Sequence, residues 1–273
     1  MLFLKRVAMF LVFLGWIPTA RAGQPVFDEM PRWDDGWGFQ VVQHYRYRKG
    51  LIVGSENTDP ELSERAAVLH IDGVYTWDRS IRLVGELPVV LYAVETRRDS
   101  SGEVYEETEV GFGDGTVGLP LKRYYNLDGR SGSWTLAPKL RIPLGAKDDY
   151  SVYWREWGAG LAAGVETETY RFHGNLSFTG WHYFDQRPDH FQANIGTGVN
   201  IHALGSSGHF KVKSFLDYEG DGSTRIQAGT ILYWRFTDLV HGQMTWKMDV
   251  YNWRGRAKLG NEQNLTAGVG FVY

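Results

Sequence analysis

Apolar and polar residues alternate with period two along nearly all of the chain beyond residue 36. Successive side chains of a strand point to opposite faces, so about twelve such segments predict about twelve strands, each with one apolar row. The rows begin Phe39/Val41/Tyr45, Ala67/Leu69/Ile71/Tyr75/Trp77 and Ile81/Leu83/Leu87/Val89/Leu91. Val117/Leu119/Leu121, Trp134/Leu136/Leu140/Ile142, Ala159/Leu161/Ala163/Val165 and Phe172/Leu176/Phe178 follow. The later rows are Phe191/Ala193/Ile195/Val199/Ile201, Phe210/Val212/Leu216/Tyr218, Ile226/Ala228/Leu232/Trp234 and Val240/Met244/Trp246/Met248/Val250. In the last segment Leu265, Ala267, Val269, Phe271 and Tyr273 share one face, while Thr266, Gly268, Gly270 and Val272 share the other. A row with no polar side chain that ends on an aromatic carboxy-terminal residue is the pattern of a bacterial outer-membrane β-barrel, whose last strand is read by the barrel-assembly machinery.

The connections alternate in length. Asp78-Arg79, Asn126 to Gly132, Glu168-Thr169, Gly205 to Gly208 and Thr237-Asp238 are rich in turn formers and predict periplasmic turns. The stretches near 49–63, 95–113, 146–155, 184–190, 219–223 and 252–263 carry many charges and predict extracellular loops. Such a meander is an up-and-down antiparallel barrel with both termini on the periplasmic side, and closure removes the edges that hydrocarbon could not satisfy. Outward aromatics cluster at strand ends. Trp77, Trp134 and Trp234, with Phe271 and Tyr273, predict an aromatic girdle toward lipid and lipopolysaccharide.

The opposite rows are polar. They include Arg82, Glu86, Lys122, Lys139, Arg141, Lys211, Lys213, Arg225 and Arg235, which we read as lining a solute path, with bases in the majority. Such a lumen favours anionic or polarizable solutes by raising their local concentration. Interior ion pairs that merely fill the space are an equal alternative for most of these residues. Inward aromatics such as Tyr124, Trp181, Tyr183, Phe215 and Tyr233 would matter more to a hydrophobic route.

At the other end, Lys5 and Arg6 precede an apolar run from Val7 to Ile17 and an Ala20-Arg-Ala22 cleavage pattern. This predicts a secretory signal peptide over 1–22, a periplasmic segment over 23–35 and a barrel over 36–273. Charged residues at 22 % would suit a soluble protein, but 15 % aromatics and 33 glycines fit a barrel in which alternate residues face lipid. The absence of cysteine excludes disulfides and thiolate metal sites. A net charge of −3 without a basic arm argues against nucleic acid, and no cofactor or metal is expected.

Two stretches carry a family resemblance: Gly113-Asp-Gly-Thr-Val-Gly-Leu-Pro-Leu-Lys-Arg-Tyr-Tyr125 and Leu136-Ala-Pro-Lys-Leu-Arg-Ile-Pro-Leu-Gly145. With Trp157-Gly-Ala-Gly-Leu-Ala and Phe172 to Gly180 in step, the chain over 110–273 resembles the MetA-pathway of phenol degradation family of outer-membrane β-barrel channels. The resemblance implies passage of small, often aromatic or hydrophobic compounds and supplies no ligand residue. Gly115 after the Gly-Asp pair, and Pro120, depart from the family pattern.

Other motifs weigh little. Gly113-x-Gly115-x-x-Gly118 has the spacing of a dinucleotide fingerprint but opens a strand, where the fingerprint needs a helix amino terminus. Asp217-x-Glu219-x-Asp221-Gly222 begins like a calcium loop, yet Ala228 stands where a bidentate Glu is required. A membrane-embedded lipid hydrolase would need serine and histidine in contact. His173 and Ser177 share a face, but strand rise sets them about 13 Å apart. A plugged structural or adhesion barrel is the remaining alternative, marked by a lumen without a through path.

Overall fold

Fifteen strand segments form one sheet in the computed structural model, each antiparallel to its neighbours. The structure describes residues 35–272 except 54–56, 79, 99–100, 128–129, 146–151, 154, 170–171, 186–188, 202–208, 221–223, 238, 255–256 and 259–260. The expected signal peptide, residues 23–34 of the expected periplasmic segment, Tyr273 and the Gly205–Gly208 turn lie outside the described residues.

The strands are β1 (Gly36–Val53), β2 (Asn57–Asp78), β3 (Ile81–Arg98), β4 (Val104–Phe112), β5 (Asp114–Gly118), β6 (Leu121–Leu127) and β7 (Arg130–Pro143). They continue with β8 (Gly158–Glu168), β9 (Phe172–Tyr183), β10 (His190–Ile201), β11 (His209–Gly220), β12 (Thr224–Arg235), β13 (Val240–Arg254), β14 (Ala257–Lys258) and β15 (Asn261–Val272). Sequential neighbours pair around the sheet, and β15 pairs both β13 and β1, so the sheet closes into a barrel. β4, β5 and β6 are successive pieces of one wall position between β3 and β7, and β14 is a short clip beside β13. The circuit therefore has twelve wall positions, as the alternating rows imply.

The interrupted wall has a chemical cause. Pro120 and Pro88 lack an N–H for the ladder. Around them the chain substitutes irregular bonds: Arg82 N to Pro120 O at 3.3 Å, Gly113 N to Pro88 O at 2.8 Å and Leu119 N to Pro138 O at 3.0 Å. The short turns are held by their own side chains. Asp78 Oδ1 accepts the N–H groups of Ser80 (2.5 Å) and Ile81 (3.0 Å), and Thr237 Oγ1 accepts those of Leu239 (3.2 Å) and Val240 (3.0 Å). Thr169 Oγ1 bonds Phe172 in the same way. These turns match the expected positions.

Three of the expected long loops are largely strand. β1, β2, β3 and β4 run through most of 49–63 and 95–113, and β13, β14 and β15 take up much of 252–263. Charge content is a poor guide there, because a ladder that rises above the bilayer needs no apolar row. Its inward charges pair across strands, Arg46 and Arg48 with Glu64, Arg48 with Glu262 and Arg97 with Glu107, while Arg97 also meets Glu95 on its own strand.

The outward rows hold where side chains are described; those of Ile201 and of the row Phe210/Val212/Leu216/Tyr218 lie outside the described residues. Leu83, Leu136, Leu161, Phe178, Ile195, Met244, Trp246 and Leu265 are all exposed, forming an apolar belt that only hydrocarbon would suit. At the short-turn end Trp37 and Tyr75 (4.7 Å), Tyr75 and Trp77 (5.1 Å), and Trp234 and Phe236 (5.6 Å) interlock, with Trp77, Trp134 and Phe271 exposed as a girdle requires.

The wholly polar interior needs correction. Val42, Ala66, Val68, Val74, Val90 and Ala93 are inward and buried, and four of them, Ala66, Val68, Val90 and Ala93, pack with Val152 and Tyr153 as an apolar cluster. This strip lines the side formed by β1–β3, so the lumen is two-faced.

Candidate functional site

The lumen is built by the even-numbered residues of β1, β2 and β15, whose odd-numbered partners face outward. On β1, Gln40 and His44 alternate with Phe39, Val41 and Tyr45. The register sets Gln40 against Asp72 of β2 and Gly270 of β15. These neighbours make a hydrogen-bonded chain. His241 Nε2 donates to Gln40 Oε1 at 3.1 Å, and Gln40 Nε2 donates to Asp72 Oδ2 at 3.1 Å. Since Gln40 Oε1 can only accept, the His241 proton sits on Nε2. Gly270 is required beside it, because a β-carbon there would overlap the His241 ring.

A second chain crosses the closing seam. His44 Nε2 donates to Asn264 Oδ1 (3.0 Å), Asn264 Nδ2 donates to Glu262 Oε1 (2.7 Å), and Glu262 also takes the Arg48 guanidinium. On the neighbouring strands Glu86 bonds His70 Nδ1 at 2.6 Å and accepts the Thr116 hydroxyl at 3.2 Å. Opposite them, Asn175 donates to Asn194 at 2.6 Å and Gln227 to Asp249 at 2.8 Å.

The expected path residues separate into distinct groups. Arg82 is fully buried near the short-turn end. Lys122 is buried and bonds Glu166 at 3.3 Å, with Tyr125 Oη held on the Glu166 carbonyl at 2.8 Å. Glu86 belongs to the His70 pair. Lys139 and Arg141 are half-buried at consecutive inward positions of β7, toward the long-loop end. Lys211 and Lys213 on β11, and Arg225 and Arg235 on β12, take ladder positions opposite Asn200, Gly198, Asn252 and His241, but their side chains lie outside the described residues. The hydrolase reading falls partly outside too: the His173 side chain is not described, while Ser177 stands at the Asn194 register position.

Sequence reasoning missed how Val152, Tyr153 and Arg155 pack against the inner wall. Glu109 of β4 accepts the Val152 N–H (2.5 Å) and pairs with Arg155 Nη2 (2.5 Å), both side chains being almost fully buried. Arg155 also donates from its backbone N to Asp114 Oδ2 at 3.1 Å and from Nη1 to the Phe112 carbonyl. Tyr153 lies on the apolar strip, against Gly113 and Pro88, where any β-carbon at residue 113 would collide with the ring at 2.5 Å. Burial pushes the Tyr153 phenol well above its ordinary range, with the Glu86 charge adding to it. The available signal was Gly113-Asp114 itself, since a glycine at a strand break often marks close approach of another segment.

Arg141 is held differently from Arg46, Arg48, Lys122 and Arg155, which sit directly on carboxylates. Its guanidinium lies 5.1 Å from the Trp181 ring centre and 5.4 Å from that of Tyr183, which are themselves stacked at 6.4 Å. Gly158 and Gly160 of β8 lie between β7 and β9 in the register, and a β-carbon on either would press the aromatic rings at 3.0 and 2.7 Å. Two glycines thus let β9 aromatics lie over β8 and reach β7.

No family model matches the sequence, and no curated protein matches it. The structure is similar to an outer membrane channel from Pseudomonas putida F1, with a TM-score of 0.71 and 13 % identity over 92 % of this chain and 100 % of that one. The CymD monoaromatic hydrocarbon channel (TM-score 0.47, 9 % identity, 88 % and 89 % covered) and the NanC porin (0.45, 12 %, 86 % and 100 %) fall at values that establish no shared fold. At these identities the likeness shows the fold alone, that of a bacterial outer-membrane β-barrel.

Proposed function

We propose that the protein is a passive channel of the bacterial outer membrane for small solutes, with anionic and aromatic compounds favoured. The observation that carries this reading is a closed barrel whose outward rows are apolar while its inward face holds charged and hydrogen-bonded side chains. A barrel that only had to persist in lipid could fill its interior with apolar packing. Lys139 and Arg141 near the outer mouth give the anion preference, because fixed positive charge in a low-dielectric wall concentrates anions. Trp181, half-buried on the inward row of β9, offers an aromatic solute a ring face. The resemblance to phenol-degradation channels over 110–273 supports the same solute class.

The test is single-channel recording of the refolded protein in a planar bilayer under a salt gradient. Discrete conductance with an anion-selective reversal potential is expected, and Lys139→Glu with Arg141→Glu should move that potential toward cation selectivity. An unchanged reversal potential in a conducting double variant rejects the charge assignment. A folded barrel that never conducts rejects the channel.

A further inference from the structure

We propose that Arg141, Trp181 and Tyr183 form a binding subsite for small aromatic carboxylates at the outer mouth of the lumen; the proposal deepens the channel reading and rests on it. Elsewhere in the barrel, inward positive charge is neutralised by direct pairing. Arg46, Arg48, Lys122 and Arg155 each lie within hydrogen-bond range of a carboxylate. Among the described residues Arg141 has no carboxylate so close: Asp114 Oδ2 is 4.0 Å from Nη1 and already accepts the Arg155 N–H at 3.1 Å. Arg141 Nε is buried and makes no hydrogen bond.

Two ring faces hold the guanidinium instead. Cation–π contact orients its plane and stabilises its charge without consuming its N–H groups. A planar guanidinium that keeps its fork free presents the donor geometry that a carboxylate accepts in bidentate fashion. Trp181 is half-buried, so part of its indole faces the lumen beside that fork, while Tyr183 beneath is buried and rigid. Lys139, the next inward residue of β7, adds positive charge across Gly160 from Trp181. Among the described residues, Asp114 is engaged by the Arg155 amide, Glu109 by Arg155, and Glu86 by His70 and Thr116. A carboxylate with a flat ring fits this set, its charge on the fork and its ring against indole. A saturated ring of the same charge and bulk would lose the stacking.

Gly158 and Gly160 supply the positioning. With side chains there, Trp181 and Tyr183 could not lie flat across β8, and Arg141 would lose its ring contacts.

The experiment measures binding apart from conduction. Saturation-transfer NMR on the micelle-bound full chain is titrated with benzoate and with cyclohexanecarboxylate, and the same protein is recorded in a bilayer. Benzoate should bind at least several-fold tighter than the saturated acid, and Trp181→Leu and Arg141→Lys should each weaken benzoate about tenfold, the scale of one charge-assisted bond or one desolvated cation–π contact. Trp181→Phe, which restores a ring, should recover part of the loss. Heat-modified gel mobility identifies variants that have not folded, and Trp246→Leu on the lipid face serves as the control. Equal binding of the two acids, or benzoate affinity unmoved in both folded variants, overturns the subsite. A protein that binds benzoate in this pattern yet never conducts overturns the channel and leaves the subsite standing.

Discussion

Replacing Arg155 by methionine tests whether Val152 and Arg155 are held against the inner wall by charge. Arg155 adopts a left-handed backbone conformation with φ of 56°, which costs a non-glycine residue about 1 kcal/mol or more. Its side chain offsets that cost by pairing with Glu109 and capping the Phe112 carbonyl. Methionine keeps the bulk and the strain but takes the guanidinium away from the Glu109 carboxylate, whose side chain is 4 % exposed. Breaking one half of a buried pair costs about 3–5 kcal/mol. The lower end applies, since Glu109 keeps the Val152 N–H, and about 3 kcal/mol corresponds to roughly a hundredfold change in a local opening equilibrium. Amide hydrogen exchange reads this directly at Val152 and residue 155, whose N–H groups bond Glu109 and Asp114. Protection at both should fall about a hundredfold in Arg155→Met. Adding Glu109→Gln removes the carboxylate charge and should restore about tenfold of that loss, a coupling expected of contacting groups. Protection within twofold of wild type in the single variant, or a double variant weaker than the single, would refute the reasoning.

Glycine positions give a paired prediction in urea refolding. Gly270→Ala collides with His241 and should destabilise by about 1–3 kcal/mol, as overpacking does. Gly73→Ala meets open space and should be neutral or gain about 0.4–1 kcal/mol from the unfolded chain. Facing is tested on β10, where Ile195→Arg puts a charge into lipid at a cost of about 2–4 kcal/mol while Gln192→Arg, on the inward row, should shift the urea midpoint far less. Lys122→Met should cost about 3–5 kcal/mol by leaving Glu166 buried without its lysine, and Lys122→Met with Glu166→Gln should recover a large part of it.

The strand count, the outward rows and the short turns were legible because lipid imposes one rule on every wall strand, and Asp78, Thr169 and Thr237 announce their turns chemically. The interior was less legible. Val42 follows Val41, Val68 precedes Leu69 and Val90 precedes Leu91, so each inward valine hides inside an apolar run that period-two reading assigns to the lipid side. Continuous runs of that kind mark strands buried on both faces, and the second face here is covered by Tyr153. That contact joins residues far apart in the chain, which no local pattern encodes. The ring-held Arg141 depends likewise on three strands and on two glycines whose purpose appears only in register. The outer ends of β1–β4 were mistaken for loops because, above the bilayer, cross-strand charge pairs replace the apolar row on which strand reading relies.

The ladder between β1 and β15 carries a kinetic cost. It joins side chains such as His44 and Asn264 that are 220 positions apart, and chain-closure entropy grows slowly enough with length that the equilibrium penalty is modest. The rate is another matter, because pairing of such high contact order is slow. Until it forms, β1 and β15 each present an unmatched edge, the template on which other chains add. Assembly of this barrel is therefore a race between its own closing ladder and aggregation, and the race ends when β15, already beside β13, takes β1 as its second neighbour.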